Sequence, residues 1–171
     1  MTIKSLSRHR LNLLRWAVLC LLMYIAAVTG FVLLTNRIHT TMIQNHIDQK
    51  MTIAAKSLKY MLEPDFHDRA TGPLSISLGE EMRNRYAISS YAADSGFKYL
   101  YTLAEKDGRF YFSAPTVTTQ EALDRKRWYF YPYDDIPSEF VKAFREKKTV
   151  FVNYSDQWGN FRSVAIPMYS P

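Results

Sequence analysis

The stretch Trp16–Leu34, WAVLCLLMYIAAVTGFVLL, constrains this chain more than any other: nineteen residues without one charged side chain. As a helix rising ~1.5 Å per residue it covers roughly 28 Å, close to the ~30 Å hydrocarbon core of a bilayer. Lipid offers no partner to backbone N–H and C=O groups, so a helix is the only single segment that crosses. Lys4, Arg8, Arg10 and Arg15 precede it with no acid among them, and Trp16 stands at the interface. That bias predicts a cytoplasmic basic tail over residues 1–15, a transmembrane helix over 16–35 and everything later outside. A buried core helix is normally shorter and keeps a polar face. A cleaved signal peptide has an apolar core of only ~7–15 residues followed by small residues. Here the apolar run continues past Ala26 and Ala27 to Leu34, so we read an uncleaved anchor.

The chain has 171 residues and a net charge of +6. Beyond the tail the balance is 18 basic against 16 acidic, so the basic character is partly a topology signal rather than a nucleic-acid footprint. No Arg/Lys stripe interleaved with aromatics runs along one face, which argues against nucleic-acid partners. The lone cysteine, Cys20, lies in the anchor, excluding a disulfide scaffold. The remaining residues, about 137 of them and rich in Tyr, Phe and Trp, suffice for one domain with its own core.

From Asn36 to about Glu63 the apolar positions are Ile38, Met42, Ile47, Met51, Ala54, Leu58 and Met61, a helical face that Pro64 ends. A stripe that long must be buried on the domain, on a second copy, or on both; the expectation is a homodimer through residues 36–62. After a loop over 65–76, Ser77 and Glu80 fit a capping box and Gly96 a stop, which predicts a helix over 78–94. The run from Phe97 to Pro115, turning at Asp107-Gly108, reads as a hairpin. Residues 115–133 form a longer connection. Asp134-Asp135-Ile136-Pro137 opens a helix to about Lys147, with Phe140, Val141 and Phe144 as its apolar face. Thr149–Tyr154 and Phe161–Met168 then form a second hairpin. No internal repeat appears. The fold class is α+β: a transmembrane helix, a long amphipathic helix, then an antiparallel sheet with flanking helices. Because the chain stops directly after a strand, we expect a truncated chain or a fragment of a longer protein.

No catalytic constellation is present, and no enzyme activity is expected of this chain. His39 and His46 share a helix face, but no Cys or carboxylate set completes a metal site, and solvated histidines are the simpler reading. The glycines, six in all, are dispersed and form no phosphate loop, so no cofactor is expected.

The order of elements, together with Tyr99-Leu100-Tyr101-Thr102, Tyr133-Asp134-Asp135-Ile136-Pro137 and Asp156-Gln157-Trp158-Gly159-Asn160-Phe161-Arg162-Ser163, resembles the Cache domains. These are PAS-like extracytoplasmic sensors of bacterial chemoreceptors, diguanylate cyclases and histidine kinases. The resemblance covers residues 36–171 and implies a PAS-like sheet, a location on the bacterial inner membrane, and an output module beyond this chain. It also implies a ligand between the sheet and the connection covering it. That points to Tyr99, Tyr101, Arg127, Trp128, Tyr131, Tyr133, Tyr154 and Arg162, with Arg162 anchoring a small organic acid or amino acid through its fork. The same residues also have a plain reading: strand aromatics are mostly core, the Arg125-Lys126-Arg127 run suits a solvated surface, and Asp156 is a rival partner for Arg162. The alternative function is a membrane-anchored structural or assembly protein that docks partners.

Overall fold

The computed structural model describes residues 3–169. The chain divides into two compact units, residues 1–47 and residues 48–171. It begins with helix α1, Ile3–Ser57. The first unit is wholly helical over its described residues and includes a stretch long and apolar enough to cross a membrane. The best window of that stretch has a mean hydropathy of 2.6, and none of it is buried. Ile38, Met42 and Ile47 stay 51%, 62% and 40% exposed.

In the second unit the same periodic stripe changes role. Met51, Ala54 and Leu58 are buried, with Leu62 just beyond the helix. The helix tightens into a 3₁₀ turn at Leu58–Tyr60 before Pro64, a few residues earlier than the periodicity suggests. The Met61 N–H donates to the Leu58 carbonyl at 3.1 Å, the i→i+3 bond by which a last helical turn tightens. A short helix α2, Phe66–Arg69, precedes α3, Leu78–Ser95. Ser77 caps α3 by accepting from the Glu80 N–H, but the Glu80 carboxylate turns away to the Arg69 guanidinium at 2.6 and 2.9 Å, so only half of the expected capping box forms. At the other end Gly96 takes φ 75°, with Phe97 N–H donating to Ala92 O and Gly96 N–H to Ala93 O, a Schellman stop.

Strands β1 (Tyr101–Lys106) and β2 (Arg109–Pro115) form the first hairpin, and the two-residue β3 (Tyr131–Pro132) adds antiparallel to β2. Pro132 is tolerated because β3 is an edge. What the sequence presents as an uninterrupted connection therefore contributes a strand, and also a helix: α4, Thr119–Asp124, with Thr118 and Glu121 completing a reciprocal capping box. Helix α5, Ser138–Glu146, buries Phe140 and Ala143, while Phe144 stays half exposed with its edge on Phe110. Strands β4 (Val150–Asp156) and β5 (Gly159–Ala165) pair antiparallel as a separate two-stranded sheet. The fold is α+β with antiparallel sheets, five strands in two sheets rather than one.

One bulge decides what the first sheet presents on each face. Thr102 pairs with Ala114 and Leu103 with Phe112, leaving Ser113 as an extra residue on β2. Two residues apart, Phe112 and Ala114 would otherwise share a face; the bulge separates them. Ala114 joins Leu100, Ile88, Ala92, Ala54 and Leu58 in the core. Phe112 turns to the opposite face, with Tyr101 and Tyr133. Ser113 Oγ and Thr102 Oγ1, both buried, satisfy each other at 2.7 Å.

Candidate functional site

The face of the first sheet carrying Tyr101 and Phe112 is one wall of a pocket. Pro115 and Thr116 extend this wall at the end of β2, and Tyr99 does so just before β1. The opposite wall comes from the β4–β5 hairpin: Tyr154, Asp156, Trp158 and Phe161. Glu121 of α4, Trp128 and Tyr133 close the sides. The free space is about 40 Å³, enough for a few water molecules.

Each wall is held by aromatic packing. Tyr133 stacks on Phe112 with centroids 4.8 Å apart, and Tyr101 meets both edge-on at 5.2 and 6.2 Å. Trp158 sits in the two-residue turn between Asp156 and Gly159, and its ring stands edge-on to Phe112 and Tyr133. Gly159 makes that turn possible, with φ at 135°, a conformation L side chains rarely adopt.

The polar groups are ordered by two carboxylates. Tyr133 Oη donates to Asp156 Oδ2 at 2.9 Å, and the Trp158 N–H donates to Asp156 Oδ1 at 2.8 Å. Tyr99 Oη donates to Glu121 Oε1 at 3.1 Å, while Glu121 Oε2 receives the Thr118 N–H and hydroxyl. Trp128 Nε1 donates to the Glu121 carbonyl at 3.0 Å. Tyr101 and Tyr154 face each other hydroxyl to hydroxyl at 3.4 Å. Burial first, then the negative charge of Glu121, pushes Tyr99 up to about 12. Burial likewise drives Tyr101 and Tyr133 upward, helped by Tyr154 at the first and by Tyr101 at the second. All three phenols therefore remain donors at neutral pH.

The structure brings together Tyr99, Tyr101, Trp128, Tyr133 and Tyr154 and places the other three residues singled out in the sequence elsewhere. Tyr131, on β3, lies under the Arg125 guanidinium at 4.0 Å and against Trp128. Arg127 lies outside the pocket, partly exposed and tied down: Nε donates to Glu81 Oε2 at 2.7 Å and Nη2 to the Ile76 carbonyl at 2.9 Å. Arg162 also faces away from the pocket. Its fork holds Asp48 at 2.7 and 2.6 Å, which corrects the expectation that it anchors a ligand beside Trp128 and replaces Asp156 as its candidate partner. The reason is strand alternation: Phe161 of β5 lines the pocket, so its neighbour Arg162 points to the other face.

Trp158, Glu121 and Asp156 were not among the site residues read from the sequence. Thr118-x-x-Glu121 is a legible capping box and would have fixed Glu121 at the start of a helix. Nothing local announces that a hairpin-tip tryptophan folds back onto the other sheet. Among the described residues no group of His, Cys, Asp and Glu could hold a metal ion. Comparison with family models, with curated proteins and with solved structures finds no match to the chain.

Proposed function

We propose that this chain is the membrane-anchored, extracytoplasmic sensing part of a bacterial signal transducer, a Cache-like and PAS-like domain that binds a small molecule in the aromatic pocket. The observation that carries this reading is the pocket itself: a concave site between two sheets, walled by aromatic rings and closed by a few converging polar groups, the lining of a small-molecule site at a size that suits a ligand of only a few heavy atoms. The apolar stretch of α1 supplies the anchor, with the basic tail inside.

Occupation of the pocket has a short route to α1. Phe161 touches the pocket and Arg162, the next residue, holds Asp48 of the helix. A ligand that favours one position of the β4–β5 hairpin thereby favours one position of Asp48. Only such a difference in affinity between two arrangements moves the equilibrium; tight binding alone does not. The exposed Ile38, Met42 and Ile47 then pair with those of a second copy, and the dimer carries the change onward.

The test is ligand-induced stabilisation of the full chain in detergent micelles, screened over small amines, amino acids and organic acids. A ligand present at ~100 times its dissociation constant adds roughly 2.7 kcal/mol. A compound that stabilises the chain, and fails to stabilise Trp158→Ala, supports a sensor. Stabilisation by no compound, together with a protein partner bound through the aromatic surface, supports the assembly reading in its place.

A further inference from the structure

We propose that the pocket takes a small organic cation, an amine or quaternary ammonium compound, rather than an organic acid. This inference rests on the cavity being a ligand site and names the chemistry of its occupant. Three observations converge on it. First, the ionisable acids in the lining are Glu121 and Asp156, and no Arg, Lys or His lines the pocket. An anion entering there would meet two carboxylates and no cation in the lining itself. Second, neither Glu121 nor Asp156 forms an ion pair among the described residues. Each is oriented by neutral donors: Tyr99 and Thr118 for one, Tyr133 and the Trp158 N–H for the other. The negative charge is thus positioned but not neutralised. Third, the walls are ring faces and edges from Tyr, Trp and Phe, whose quadrupoles attract a cation within ~6 Å of a centroid.

The outer part of the same aromatic group already holds a cation. Lys98 Nζ lies 5.1 Å from the centroid of Tyr99 and 5.3 Å from that of Phe161, and it donates to the Trp158 carbonyl rather than to either carboxylate. Its ammonium is a protein-borne example of the ligand chemistry the interior offers. A primary ammonium donates to the carboxylates as well as to the rings, and a methylated one relies on the rings.

The experiment uses the full chain in detergent micelles and reads tryptophan fluorescence, since Trp128 and Trp158 line the site, together with the melting temperature. The probes are ethanolamine and choline, 3,3-dimethylbutan-1-ol as the uncharged isostere of choline, and glycolate as a small acid. The expected result is saturable binding of at least one cation, with the isostere weaker by about tenfold and glycolate without effect. Glu121→Gln and Asp156→Asn remove the charge and replace one of each carboxylate's two accepting oxygens with an NH2 group, so each also gives up a hydrogen bond and lowers the ligand-free melting temperature. In fluorescence titration of the still-folded variants, each should weaken the cation by roughly tenfold, and undiminished affinity in both would overturn the proposal. Glycolate or the neutral alcohol binding as tightly as the cations would overturn the cation proposal and leave the pocket a ligand site. No binding by any probe to a folded chain would overturn the cation proposal, and a wider screen that also fails would remove the sensor reading with it.

Discussion

Arg162 of β5 grips Asp48 of α1 with both arms of its guanidinium, Nε at 2.7 Å and Nη2 at 2.6 Å, across a sequence separation of 114 residues. Nη1 adds a bond to Asn153 Oδ1 on the paired strand. The carboxylate lies beside the guanidinium and holds its pKa above the ordinary arginine value. Both side chains are mostly sheltered, at 29% and 20% exposure, so the pair is screened less than a surface bridge.

This pair makes a direct prediction. Asp48→Asn and Arg162→Gln should each lower the ligand-free stability by about 1–3 kcal/mol, and the double variant should lose less than the sum of the two. A coupling near zero in chemical denaturation would show that the pair is decorative. If it also transmits occupation of the pocket, the double variant should bind ligand normally yet show no ligand-dependent change in cross-linking along the helix.

Glu81 is the costliest single side chain to remove. It is 4% exposed and receives Arg127, Arg85 and the backbone N–H groups of Trp128 and Tyr129. Glu81→Ala strands those four donors, two of them cations, and a loss of ~3–5 kcal/mol is expected by urea denaturation. Burial alone would raise its pKa, but the Tyr129 N–H, Arg127, the Trp128 N–H and Arg85 together hold it below 4.5. Its stabilisation is therefore present above the unfolded carboxylate value and is lost as the pH falls below it.

His67 opens a second, higher pH window. Burial lowers its pKa below 6.5, against a partial opposing effect of Asp68. The unfolded chain then binds a proton that the folded chain refuses, so stability should fall as the pH drops through about 6.5. His67→Gln should flatten the stability profile between pH 7.5 and 5.5 without touching the Glu81-dependent loss at lower pH. An unchanged slope in the variant would place the acid sensitivity elsewhere.

Topology is open to labelling from outside the cell. After Cys20→Ser removes the native thiol, an impermeant maleimide should reach Asp124→Cys and not Ser5→Cys. The reverse pattern would end the sensor reading, and a mature chain lacking its first thirty or so residues by mass spectrometry would turn the anchor into a leader.

Pairing of two copies can be read by cysteine cross-linking scanned from position 36 to 47. Efficiency should peak with a period of about 3.5 residues in phase with Ile38, Met42 and Ile47. A flat profile would argue for a monomer.

Local patterns carried much of this architecture. Ser77 and Gly96 marked both ends of α3, Asp107-Gly108 marked the first turn, and the Met51, Ala54, Leu58 spacing marked the buried side of α1. What escaped was set at long range. The exposed half of the apolar stripe and its buried half look alike in sequence, because periodicity reports a face and not what covers it. The bulge at Ser113 breaks alternation without a residue such as glycine to announce it, so Phe112 and Ala114 look equivalent. The Cache resemblance pointed to Tyr99 and Tyr101, which do line the pocket, and to Arg162, which does not. Alternation with Phe161 sends Arg162 to the other face, where Asp48, 114 residues away, takes up its charge. Arg127 went the same way, drawn to Glu81 across 46 residues.

The separation of the two sheets has a mechanical consequence. Among the described residues no backbone hydrogen bond joins the β4–β5 hairpin to β1–β3. The first sheet is stiffened by its ladder, its bulge and the helical core behind it. The hairpin is seated on it by rings, by Tyr101 on Tyr154, by Tyr133 on Asp156, by Asp135 on Gln157 and by Lys98 on Trp158. The pocket thus has one jaw built on a backbone ladder and one jaw joined to it through side chains, so side-chain substitution alone can reshape the bite without breaking a rung of either ladder.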